Sequence, residues 1–157
     1  LAAYTFFAMR GISFQARDLD TDNIPSLVNL DKMRSDTNNI RRADLALVLC
    51  QTRECTDRSR QVREQAVADL ATAGKAYQAV FSDPQERQLY EQFAGPMAQY
   101  IEISGRIGSA ADAGDRQKAT ELLTSSSAFN AHAAALKAIG DLMQFNAQES
   151  YSNTAAM

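Results

Sequence analysis

Apolar residues recur every three or four positions through most of this chain, and that spacing limits the fold more than any other feature. Between residues 27 and 47 the stripe is Leu27, Leu30, Met33, Thr37, Ile40, Asp44 and Leu47. Such spacing sets one face of an α-helix against a partner, as in a bundle or coiled coil. With only seven glycines, three prolines and no tryptophan, little interrupts helix along the chain.

Four helices are predicted. The first runs from Thr5 to Leu49, and Pro25 bends it or marks a weak turn. The second runs from Asp57 to Phe81, with Val62, Ala66, Leu70, Ala73, Tyr77 and Val80 inward. "SDPQ" (82–85) is a turn in which Pro84 suits a first helical position. The third helix runs to Ala111, with Leu89, Phe93, Met97, Tyr100, Ile103 and Ile107 inward and a kink expected at Gly95-Pro96. "AGD" (113–115) is the next turn. The last helix runs from Arg116 into the 150s, with Leu122, Ser126, Phe129, Ala133, Leu136 and Met143 inward. Short turns make neighbours antiparallel, so the fold class is all-α, an up-down-up-down four-helix bundle with two long and two shorter helices. The 157 residues suffice for one domain with its own core.

Cys50 and Cys55 are the only cysteines. Five steps of continuous helix give about 140° of rotation and roughly 7.5 Å of rise, which a disulfide cannot bridge. Across a turn it can. A disulfide there requires the first helix to stop near Cys50 and the second to start after Cys55, capped by Thr56 or Asp57. It implies an oxidising compartment.

The formal net charge of -3 argues against nucleic-acid binding, which needs a basic face. No apolar run reaches the roughly 18 residues of a membrane span. "LAAYTFFAM" reads equally as an ordinary helix start and as the stub of an excised segment. Catalysis has little to work with. His132 is the single histidine, and a lone helical histidine usually packs or faces water. No haem-attachment motif, paired Glu-X-X-His motif or phosphate-binding glycine loop occurs, so no enzyme activity, metal or cofactor is expected.

The polar intrusions carry more. Counting about eight residues, or roughly 12 Å, from the cysteine turn places Arg41 and Arg42 of the first helix at one level. Arg63 of the second, Ser104 and Arg106 of the third, and Leu123, Thr124 and Ser125 of the fourth share it. Four arginines at one level repel unless something negative sits among them. Asp44 offsets Arg41 in part; a small carboxylate ligand would do so bidentately. One heptad deeper, Arg34 and Asn38 extend the strip. Tyr100 and Phe129 offer aromatic walls, and Tyr77 lies deeper still. Each arginine taken alone also reads as a solvated side chain paired with a nearby acid, and each aromatic as plain core.

The stretch "DNIPSLVNLDKMRSDTNNIRRADLALVL" (22–49) resembles the first helix of the four-helix-bundle sensor domain of bacterial methyl-accepting chemotaxis receptors. Pro25-Ser26, the apolar Leu27, Leu30 and Met33, and the Arg41-Arg42 pair before the tip carry the likeness. "KATELLTSSSAFNAHAAALKAIGDLMQFNAQES" (118–150) adds Leu122-Leu123, Phe129 and Asn146. The resemblance implies a periplasmic domain slung between two transmembrane helices of an inner-membrane receptor. It also implies homodimers that bind small attractants in the membrane-distal half. First-helix arginines, here Arg34, Arg41 and Arg42, would meet ligand carboxylates within one bundle or across the dimer. Hydroxyls near Thr124, Ser125 and Ser126 would add contacts. The arginine spacing of aspartate receptors is not reproduced, which points to citrate, malate or an aromatic acid such as protocatechuate. The receptor's signalling regions lie outside such a domain, so the chain is expected to be an excised sensor. Two other readings stay open: the sensor of a membrane histidine kinase, and a helical adaptor or structural dimer without a small ligand.

Overall fold

The computed structural model describes residues 24–81 and 83–155. Five helices follow one another: α1 (Ile24–Leu49), α2 (Arg53–Gln78), α3 (Pro84–Asp112), α4 (Arg116–Leu123) and α5 (Ser126–Ala155). No strand occurs among the described residues. The architecture is the expected antiparallel bundle, with α4 and α5 together filling the fourth position. α1 packs most extensively on α2, and α3 on α5. No helix among the described residues is long and apolar enough to cross a membrane.

The stripe of α1 is inward almost to a residue. Leu30, Met33, Thr37, Ile40, Asp44 and Leu47 are all buried. Leu30, Met33 and Ile40 meet Ala66, Leu70, Ala73 and Tyr77 of α2, and Phe93, Met97, Tyr100, Ile103 and Ile107 of α3, in one core. The two polar members of the stripe find partners: Thr37 Oγ1 donates to the Met33 carbonyl at 2.8 Å, and Asp44 anchors the cluster below.

Cys50 and Cys55 are disulfide-bonded, with Cα atoms 5.4 Å apart. The turn is tighter than its sequence suggests. Thr52, not Thr56 or Asp57, caps α2, its Oγ1 accepting from Cys55 N at 3.3 Å. Cys55 therefore lies in the first helical turn. At the next junction Asp83 caps α3, accepting from Gln85 N at 2.6 Å, and Pro84 takes the first helical position. α3 then runs through Pro96 to Asp112. Gly114, at φ +75°, adopts the left-handed conformation that lets the chain turn at once. Asp115 caps α4 by accepting from Lys118 N at 2.9 Å.

The predicted last helix is two helices. It breaks at Thr124–Ser125, because Ser125 Oγ serves both ends: it donates to the Leu122 carbonyl at 2.7 Å and accepts from Ala128 N at 3.2 Å. A hydroxyl bonded to nearby backbone competes with continuous helix. The inward face of α5 also differs. Ala128, Ala131, Ala135, Ala138, Ile139 and Leu142 are buried, whereas Ser126 and Ala133 are exposed and Phe129 is 65% exposed. Alanines permit close helix approach, so the small residues take the core and the large ring is left outside. Val62 of α2 is likewise exposed rather than inward. Residues 5–23, the extra length expected of the first helix, lie outside the described residues.

Candidate functional site

All five helices contribute to one polar layer below the disulfide turn. Its centre is Asp44, a carboxylate with no solvent exposure. Tyr100 OH donates to Asp44 Oδ2 at 2.8 Å, and Ser104 Oγ donates to Oδ1 at 2.8 Å. Arg63, its side chain 15% exposed, donates from Nε to Ser104 Oγ at 2.7 Å and stands 3.7 Å from Asp44 Oδ1. The chain of donors runs Arg63 to Ser104 to Asp44, with Tyr100 closing the other side. Both Asp44 oxygens thus accept from hydroxyls, and the Ser104 hydroxyl in turn accepts from Arg63. Burial pushes the Asp44 carboxyl above the usual aspartate range, against the pull of Tyr100, Ser104, Arg63 and Arg41. Burial, together with the adjacent Asp44, also raises the Tyr100 phenol.

Arg41 is half-buried beside this cluster. Its guanidinium donates to the Leu123 carbonyl at 3.1 Å and lies 5.8 Å from the Tyr100 ring centre. Leu123 ends α4, where the last carbonyls have no intrahelical donor and attract a cation. His132 of α5 completes the layer, with its ring 5.2 Å from that of Tyr100.

The count by depth from the turn thus brings Arg41, Arg63, Ser104 and Leu123 together. Two of the four expected arginines do not join them. Arg42 and Arg106 are exposed, and Arg42 donates to Asn39 Oδ1 on its own helix. Depth fixes height but not rotation, and Arg41 and Arg42 point about 100° apart on the helix. Asp44, expected to offset Arg41 in part, stands instead 3.7 Å from Arg63 and supplies negative charge to the layer from within. Arg34 is exposed and bonded to Asp31 at 2.7 Å, and Asn38 donates to the Arg34 carbonyl at 3.0 Å. Thr124 is exposed and donates to the Thr120 carbonyl, while Ser125 is spent on the helix break. Phe129 faces outward and forms no wall of this layer.

Tyr77 belongs to a second buried cluster near the opposite pole. Its OH donates to Glu86 Oε1 at 2.7 Å and accepts from Asn146 Nδ2 at 3.0 Å, joining α2, α3 and α5. Sequence reasoning passed over Glu86, an acid in the first turn of α3. Its position one turn before Leu89, an inward residue of the predicted helix, was the available signal.

Two cavities accompany the layer. One, of about 630 Å³, opens at the disulfide pole among Arg53, Asp57, Arg60, Asp112, Asp115 and Arg116. Arg60 spans it, donating to Asp57 at 2.7 Å and to both Asp112 oxygens at 3.1 Å. The other, of about 450 Å³, lies between α1 and α2 beside Asp36, Asn39, Gln65 and Asp69. Burial and the nearby Asp69 raise the Asp36 carboxyl. Neither cavity is lined by the arginines, tyrosines or hydroxyls expected from the sequence to contact a ligand.

On its open side α1 carries a second heptad strip: Val28, Asp31, Ser35, Asn38, Arg42, Leu45 and Leu49, spaced alternately three and four apart. None is buried, and Leu49 is 75% exposed. Arg34 adjoins this strip.

Comparison with curated proteins gives no match. Among solved structures the chain is similar to one described as the periplasmic sensor domain of a sensor histidine kinase, with a TM-score of 0.66 at 12% identity. The match covers 84% of this chain and 88% of that one. At that identity the likeness is one of fold. A family model described as a four helix bundle sensory module for signal transduction matches residues 2–157. With the five-helix bundle and its polar layer in view, the chain belongs to that family of four-helix-bundle sensory modules.

Proposed function

We propose that this sensory module is the extracytoplasmic domain of a chemotaxis receptor and binds a small organic carboxylate across a homodimer. The observation that carries the reading is the open strip of α1. Val28, Leu45 and Leu49 are exposed apolar residues at seam spacing, and Arg34, Asn38 and Arg42 lie on or beside the same face. A second copy of α1 laid along it would bring two sets of guanidinium groups together. Their present partners, Asp31 and Asn39, are exposed local contacts of the kind that contribute little and exchange readily. Inside the bundle Asp44 already neutralises Arg63, so a ligand's carboxylates are better matched to the outer arginines. Candidates are citrate, malate and aromatic acids. The Cys50–Cys55 disulfide supports an oxidising compartment such as the periplasm. The likeness to a histidine kinase sensor favours, as a second reading, the same input domain joined to a kinase in place of a chemotaxis output.

A panel of di-, tri- and aromatic carboxylates, screened by thermal shift and confirmed by calorimetry, tests the reading. Binding is expected to vanish in Arg42→Ala and weaken in Arg34→Ala. A buried guanidinium–carboxylate pair is worth roughly 2–5 kcal/mol when one partner is removed. Sedimentation should show the ligand promoting dimers. Dimers without any acid that binds would point instead to a structural adaptor, and binding that survives both substitutions would remove α1 from the site.

A further inference from the structure

His132 is the chain's only histidine. It sits on α5 against Tyr100, and its Nε2 is buried with no hydrogen-bond partner among the described residues. A buried imidazole nitrogen without an acceptor beside it is suited to its bare, unprotonated form. The surroundings from each helix reinforce this. α1 contributes Arg41 and the Thr37 backbone, and α3 contributes Tyr100; Arg41 is itself bonded to the Leu123 carbonyl of α4. Asp44, the carboxylate of this layer, lies behind Tyr100, and its oxygens are engaged by Tyr100 and Ser104, with Arg63 of α2 behind Ser104. A proton on His132 would add a third positive charge to a layer whose one carboxylate is in use.

We propose that the domain also reads proton concentration: hydronium delivers a proton to His132 Nε2, and repulsion from Arg41 loosens α5 from α1 at this level. The input is separate from any organic acid and stands whether or not one binds. The displaced pair is apt for output. α1 begins, and α5 ends, at the pole away from the disulfide turn, so a shift between them reaches whatever continues from those ends.

Burial first, and Arg41 second, hold the imidazole below its ordinary range, while the Thr37 backbone bond works the other way. A histidine with its folded pKa below the unfolded value of about 6.5 favours the fold fully above that pH. The stabilisation drains away as pH falls from there towards the folded pKa.

With one histidine, the test is direct. The carbon-bound ring protons of His132, followed by NMR in the whole domain, should titrate below pH 6.5, and Arg41→Gln should move the midpoint upward. Melting temperature should fall between pH 7.5 and 5.5, by about 2–4 °C more in the wild type than in His132→Gln. Spin labels at Ser35→Cys on α1 and Ala134→Cys on α5 should report a distance change over the same range that His132→Gln abolishes. His132→Phe provides a second neutral replacement should the glutamine variant fold poorly. A midpoint at or above 6.5, an unchanged midpoint in Arg41→Gln, or a distance change that persists without the imidazole would each overturn the proposal.

Discussion

Asp44 sits at the point where sequence and interior chemistry meet. A carboxylate in the middle of an apolar stripe is costly to bury, and its neighbours show how the cost is offset: two hydroxyl donors and an arginine relayed through Ser104. Asp44→Ala would leave Arg63, Ser104 and Tyr100 facing a hole. Breaking one side of such a network costs about 3 kcal/mol, which urea unfolding at pH 7 should register. The pH dependence has a sign as well. With its folded pKa above the unfolded one, Asp44 aids folding most when protonated, below about pH 4, and that aid is lost as pH rises through the folded pKa. Asp44→Asn should flatten this part of the stability profile. The inward direction of Thr37 and Asp44 was readable, because both fall on the three-four spacing. Their partners were not: nothing in the sequence says that Tyr100 and Ser104, one turn apart on another helix, straddle this one carboxylate.

Among the elements, α5 shows where pattern reading fails. Phe129 drew the inward face towards itself because aromatic residues usually dominate cores. The alanines at 128, 131, 135 and 138 carry little hydrophobic weight individually, yet they let α5 approach closely and fix the true face. The break before α5 was hidden in a run of hydroxyl residues that serves equally as helix surface. Ser125→Ala should remove the cap from α5 and cost about 1 kcal/mol, seen as a lower urea midpoint. Two glycines should respond in opposite ways. Gly140 of α5 is exposed with nothing within 4 Å of an added Cβ, so Gly140→Ala should gain roughly 0.5–1 kcal/mol of helix propensity. A Cβ on Gly74 of α2 would stand 2.9 Å from Tyr90 OH, which Gln78 holds at 2.8 Å between the rings of Tyr77, Phe81 and Phe93. Gly74→Ala should therefore lose about 1 kcal/mol despite the better propensity.

At the scale of the whole molecule, the antiparallel order of the bundle and the tip disulfide were legible because turn signals and cysteine spacing are local. The division of arginines between interior and surface was not, since it depends on the rotation of each helix about its axis. Replacing both Cys50 and Cys55 with serine should lower stability by only about 2 kcal/mol on the chain-entropy model, because the closed loop is short. Denaturation with and without reductant measures this directly. The crosslink nonetheless restricts motion more than it adds stability. It joins the end of α1 to the first turn of α2, and these two helices share the bundle's most extensive contact, as α3 does with α5. α1 and α2 are thus tied at one end and zipped along their length, so neither slides past the other like a piston. Relative movement is therefore expected along the seam between the two pairs, where the packing is less extensive. A tilt there of about 2° over the roughly 39 Å of a 26-residue helix carries its free end by about 1.4 Å, a stroke of the size that moves a helix from one packing groove towards the next.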